Sequence, residues 1–249
     1  MAAKPDGLSN AEEMLQKLDE GKIRAARKTG GRWVANPKVK DAILAYLKSS
    51  RIREFKETNF SYFDKIEPKR MRIEDDVRIV PLGTTIRYGA FVKKGVVIMP
   101  PSYINIGARV GANTMIDSHV LVGSCAQIGS NVHISCGAMI GGVLEPARAR
   151  PVIVEDNAFV GGGCGLYDVA VIGKGAVIGS GVVINSSTPI LELSTGREYR
   201  LEVPARSVVV RGSNKKIISG KEILLDCAVI VKRRDGKTSA KIALEEALR

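Results

Sequence analysis

Two histidines, four cysteines and a small set of charged residues bound the chemistry open to this 249-residue chain. Only His119 and His133 exist, so a zinc ion held by three imidazoles is excluded by count and no metal is expected. Cys125, Cys136, Cys164 and Cys227 lack any CxxC spacing, which suits reduced thiols in a cytoplasmic protein. Asp117 lies beside His119 in "TMIDSHV", a carboxylate and an imidazole of the kind that move protons. Asp117 could equally be a plain turn residue, and His133 could be one hydrogen-bonded histidine on a strand. "RGSNKK" gathers Arg211, Lys215 and Lys216, a guanidinium fork and two point charges of the kind that hold phosphates. A solvated basic edge is the plainer reading of the same segment.

The backbone that must position these groups is written in a period of six. Val80, Ile86, Val92 and Ile98 begin a series that continues without a miss to Ile140. It resumes at Val154, runs to Ile184, and closes with Val203 and Val209 after two interruptions, "GGVLEPARARP" and "SSTPILELSTGREYRLEVP". Neither a strand nor a helix repeats every six residues. The residue two places before each aliphatic is usually small, as at Ala90, Ala108, Ala126 and Ala176, and a glycine often follows it, as at Gly111, Gly123 and Gly129. Large inward, small inward, then a corner that glycine tolerates is the logic of a parallel β-helix with hexapeptide rungs, about 18 residues per triangular coil. Right-handed crossovers are the general rule for parallel strands; the left-handed winding expected here comes from what hexapeptide proteins look like. A sandwich of short strands is disfavoured, because its strands alternate by two and vary in spacing.

The flanks differ in composition. Ser9 with Glu12 suggests a capping box ahead of an apolar face of Met14, Leu15 and Leu18, with Gly21 as the stop. Asn36-Pro37 suggests a second helix start, followed by Val39, Ile43, Tyr46 and Leu47 at helical spacing. "DCAVIVKR" predicts a strand and "SAKIALEEALR" a short terminal helix. The expected architecture is mainly β: a helical domain over 1–72, a β-helix over 73–212 and a strand/helix extension over 213–249. A net charge of +12 suits polyanions, whether nucleic acid, acidic membrane or a phosphorylated small molecule. Basic and acidic residues are interleaved, as in "KRMRIEDDVR", and no nucleic-acid motif is present, so neither nucleic acid nor membrane is the expected partner. The N-terminus has no signal-peptide apolar region, and no stretch is long enough for a membrane span.

Longer motifs are more specific than the repeat. "VGSCAQIGSNVHIS" (122–135), "GGVLEP" (141–146), "VPARSVVVRG" (203–212), "CAVIVKR" (227–233), "LDEGKIRAARKTGGRWV" (18–34) and "YFDKI" (62–66) resemble the tetrahydrodipicolinate N-succinyltransferase family of the diaminopimelate–lysine pathway. The resemblance implies a homotrimer of left-handed prisms with active sites in the grooves between subunits. It implies succinyl-coenzyme A as acyl donor and the amine of a ring-opened amino dicarboxylate as acceptor. The amine would attack the thioester directly, without a covalent protein nucleophile. Arg78 matches a family arginine that holds an acceptor carboxylate, and Asp117 an aspartate that contacts the acceptor's amino group. Arg211, Lys215 and Lys216 would meet the coenzyme A phosphates. His133 matches the family and could act as a base, as histidines do in other hexapeptide acetyltransferases.

The chain also departs from that family. Gly111-Ala112 replaces an Asp-Glu pair, His119 replaces a tryptophan, and Gly165 stands where a glutamate proposed to assist catalysis belongs, with Asp168 the nearest carboxylate downstream. These changes favour a second reading, an acetyl- or succinyl-transferring relative acting on a different amino acid in secondary metabolism. A non-catalytic scaffold is a third.

Overall fold

The computed structural model describes residues 6–56 and 61–235. Rungs of two residues stack in parallel into three sheets, one for each side of a triangular prism. The first face climbs from Arg78–Ile79 through Val97–Ile98, Met115–Ile116, His133–Ile134, Phe159–Val160 and Val177–Ile178 into the long strand Ser207–Ile218. The second holds the rungs from Thr85–Ile86 to Val183–Ile184, and the third those from Phe91–Val92 to Glu202–Val203. Uninterrupted coils pair residues 18 apart, as in Val110↔Ile128. The second residue of each rung points inward, so one continuous core of Val, Ile and Leu runs along the axis. Each such side chain, removed from water, contributes about 1.5–3 kcal/mol. The small partners are buried as expected: Ala90, Ala126, Ala138 and Ala176 are inaccessible. The winding is left-handed.

Two sequence expectations need correction. Val80 is not the first inward aliphatic. Ile79 pairs with Ile98 and takes that place, because the first coil carries one extra residue. The glycines that follow the aliphatics are also there for another reason. Gly111, Gly123 and Gly129 do not have positive φ; a Cβ on Gly123 would lie 2.2 Å from the backbone nitrogen of Gly142. Close approach of the next coil selects glycine at these positions. The left-handed corner is instead three residues before the aliphatic, at Gly107, Asn113, His119, Cys125 and Asn131 among others.

The helical part sits against the third face and one corner of the prism. Helix α1 spans Asp6–Asp19 and helix α2 spans Pro37–Ser49. Ser9 therefore lies inside α1 rather than at its cap, and Gly21 (φ +70°) ends the segment as expected. Leu15, Leu18, Val39 and Ile43 pack on Ile106 and Cys125 at the corner between the second and third faces. The hairpin Ala26–Thr29/Arg32–Ala35 adds Ala26 and Trp33 against Ile153 and Val171 of the third face. Lys40, fully buried, donates to the Ala149 carbonyl at 2.5 Å and so ties α2 to the first interruption of the repeat.

The "DCAVIVKR" segment forms the second arm, Lys221–Arg233, of a long antiparallel hairpin with Ser207–Ile218. That first arm runs without a break through residue 212, the expected domain boundary. The proposed terminal helix, "SAKIALEEALR", lies outside the described residues. No helix among the described residues is long and apolar enough to cross a membrane.

Candidate active site

Asp117 follows the inward Ile116 and turns the chain from the first face to the second. Its Oδ1 accepts the Ser118 N–H at 3.2 Å, so one carboxylate oxygen holds the corner. Its carbonyl lies 2.9 Å from the buried Ser102 hydroxyl, which also reaches the Met99 carbonyl at 2.7 Å and fixes the corner from the coil before. The other carboxylate oxygen, Oδ2, faces His133 Nε2 at 3.4 Å. His133 stands one coil on, in register with Met115, and its ring meets the edge of Phe159 at 5.3 Å between centroids. The imidazole that reaches Asp117 is thus His133. His119 is exposed at the same corner in a left-handed conformation (φ +61°), and among the described residues its hydrogen bonding is limited to its backbone N–H on the Pro101 carbonyl.

Ser118, Cys136, Gly162 and Ser180 stack along this corner, as the registers of the neighbouring rungs require. The N–H groups of Cys136, Gly162 and Ser180 have no acceptor among the described residues. Unpaired N–H groups near a carboxylate and an imidazole, as at Cys136, can stabilise a developing oxyanion while a proton moves. Cys136 is the one exposed thiol of the four, whereas burial pushes the Cys125 and Cys164 thiols up to about 12 and about 11.

Arg78 is exposed on the first face, two coils before Asp117, a climb of about 10 Å at the usual strand spacing. Arg211, Lys215 and Lys216 lie on the exposed hairpin that prolongs that face. Arg211 pairs with Asp226 at 3.1 Å, and Lys215 pairs with Glu222. Both pairs are exposed, worth little individually, and can be exchanged for a phosphate.

The departures at positions 111 and 165 have structural causes. Gly111 cannot carry a side chain, because its Cβ would lie 2.3 Å from the Gly129 backbone. At Gly165 the Tyr167 ring lies where a side chain would start, with Cε2 at 2.4 Å from the Cβ position. Tyr167, partly exposed on the second-face side, was not legible as a site residue. Asp168 does not replace the missing glutamate, since its Oδ2 accepts the Ser186 N–H at 2.7 Å. Gly165→Glu is expected to lower stability by about 1–3 kcal/mol through overpacking, and Tyr167→Val in the same chain to recover most of it. Urea midpoints check this; a neutral Gly165→Glu would show that Tyr167 does not fill the space.

A structure from Campylobacter jejuni, described as a 2,3,4,5-tetrahydropyridine-2-carboxylate N-succinyltransferase, shares the fold with a TM-score of 0.55 at 16% identity, covering 99% of this chain and 65% of that one. The 2,3,4,5-tetrahydropyridine-2,6-dicarboxylate N-succinyltransferase of Acinetobacter baylyi is 43% identical over 244 residues, 96% of this chain and 88% of its own. The enzyme of the same name from Cereibacter sphaeroides is 40% identical over 256 residues, covering 100% of this chain and 92% of its own. Fold and relatives together define a hexapeptide-repeat acyltransferase that depends on an acyl-coenzyme A donor. Residues 3–48 match the family model for the tetrahydrodipicolinate N-succinyltransferase N-terminal domain. The chain belongs to the 2,3,4,5-tetrahydropyridine-2,6-dicarboxylate N-succinyltransferase family.

Proposed function

We propose that this protein transfers a succinyl group from succinyl-coenzyme A to the amine of the ring-opened tetrahydropyridine dicarboxylate, in the cytoplasm, as a step toward diaminopimelate and lysine. The observation that carries the reading is the match over 96–100% of this chain, at 40–43% identity, to enzymes of that name. The neutral amine attacks the thioester carbonyl and a tetrahedral oxyanion forms. The C–S bond then breaks, and the coenzyme A sulfur leaves as thiolate. Asp117 orients the amine and receives its proton, with His133 steadying the second carboxylate oxygen. The unpaired corner N–H groups receive the oxyanion. Arg78 holds an acceptor carboxylate through its fork, and Arg211, Lys215 and Lys216 face the donor's phosphates.

A thiol-release assay tests this, with succinyl- and acetyl-coenzyme A each offered to a panel of amino dicarboxylates. Turnover with the succinyl donor and the ring-opened tetrahydropyridine dicarboxylate is expected; activity confined to another amino acid would overturn the substrate assignment. Tyr167 over Gly165 is the specific observation that favours this second reading, a relative with an altered acceptor pocket.

The same reading includes a homotrimer. The chain's own N-terminal hairpin covers the third face. The second face leaves Met139 and Val183 42% and 44% exposed, and such apolar columns on a rigid wall favour burial against another copy. Sedimentation is expected to give a trimer, and Met139→Arg with Val183→Arg a monomer without turnover. A wild-type monomer at micromolar concentration would overturn the assembly.

A further inference from the structure

Away from the Asp117 corner, a buried cation lacks a counter-charge among the described residues. Arg109 points outward from the third face and is 8% exposed. Its Nη1 donates to the Gly21 carbonyl at 3.3 Å, and its guanidinium lies 4.5 Å from the Phe91 ring centroid. No carboxylate pairs with it among the described residues. Burial, and then Arg24 nearby, bring its pKa down to about 10. An uncompensated buried charge is costly, so its retention calls for a partner.

Arg109 lines a cleft of about 320 Å³ between the N-terminal hairpin and the corner that joins the third face to the first. Arg24, Lys93 and Lys174 line the same cleft, and their side chains have no carboxylate partner among the described residues. Lys28 is the fifth cation, and it is held by Glu155 at 2.6 Å. The cleft's own carboxylates are already engaged. Glu155 accepts from Lys28, from the Trp33 indole at 2.8 Å and from the Lys174 N–H at 3.0 Å. Asp156 accepts the Ser130 N–H at 2.7 Å.

The cleft therefore holds one buried guanidinium fork and three unpaired cations at its rim. A monocarboxylate would neutralise one of them. A pyrophosphoryl group offers several charges and acceptor oxygens, matched to a fork and to point charges. We propose that this cleft is a binding site for a pyrophosphoryl group, borne by a free anion or by a nucleotide-containing carrier. The site stands at the opposite corner of the first face from Asp117 and does not depend on the acyl-transfer reading.

Calorimetric titration of the full chain with sodium pyrophosphate, against sodium chloride at matched ionic strength, tests it. One saturable site per chain is expected, weakened at least tenfold in Arg109→Gln and in Lys93→Ala. Lys93 sits at the rim, so its variant keeps the test valid if Arg109→Gln fails to fold. A second titration in saturating coenzyme A separates the two sources. Displacement identifies the carrier and persistence a free anion, and either supports the cleft when both variants lose binding. Absence of a saturable site, or unchanged binding in Lys93→Ala and Arg109→Gln, would overturn the proposal.

Discussion

Asp117→Asn is expected to lower kcat for thiol release by about 10²- to 10⁴-fold, the range for loss of a positioned proton acceptor, with little change in stability. The substitution is chosen because the carboxylate has two separable duties. Oδ1 accepts the Ser118 N–H and shapes the corner; an amide oxygen does that equally well. Oδ2 faces His133 and the open side of the corner, where an amide cannot take a proton. A pure turn residue would tolerate the exchange. Full activity in Asp117→Asn would therefore remove the residue from the chemistry, while lost activity with an unchanged sedimentation profile and urea midpoint supports the assignment. His133→Gln should have a smaller effect, about tenfold, because at 3.4 Å the imidazole supports the carboxylate through a long contact. His119→Ala is the control at the same corner, and it should leave kcat within about twofold, since no side-chain contact links it to Asp117.

Gly123→Ala is expected to destabilise the prism by more than about 3 kcal/mol, beyond the usual cost of overpacking. The added methyl would meet the Gly142 nitrogen at 2.2 Å, the Gly142 Cα at 2.6 Å and the Gly141 carbonyl carbon at 2.7 Å. All three are backbone atoms of the next coil, held by the ladder bond from the Gly123 N–H to the Ile140 carbonyl, so no rotamer change relieves them. Gly163→Ala is the contrasting variant. Gly163 has φ +65° and open space around its Cβ position, so only left-handed strain is incurred, about 1–2 kcal/mol. Denaturation midpoints decide between the two origins of glycine in this repeat. If Gly123→Ala cost no more than Gly163→Ala, coil-to-coil approach would not be the reason glycine follows the aliphatics.

The repeat itself was readable because it is local. Each coil is built by the same short stride, so a run such as Ile116, Val122, Ile128, Ile134 states the inward positions without knowledge of any distant contact, and the small residues two places earlier report the narrowness of the core. The two helices were readable for the same reason, apart from the start of α1. What could not be read is everything that depends on which coils touch. His133 and Phe159 are neighbours 26 residues apart because the first interruption falls between them. Regular spacing would have put residue 151 there. Ile79 displaces Val80 through one extra residue in the first coil. Asp117 meets His133 rather than His119 because stacking places the first residue of the next rung beside the carboxylate, while the corner two residues on turns His119 away to solvent. Tyr167 fills the space over Gly165, and Arg109 is buried against the Gly21 turn and the Phe91 ring, through side-chain directions and a domain contact that no periodicity records. The sequence by itself determined the wall and its inward face, since a stride of six is a property of consecutive residues. Only the tertiary structure decided the site, because its members are brought together by coil stacking, whose register is set by insertions elsewhere in the chain.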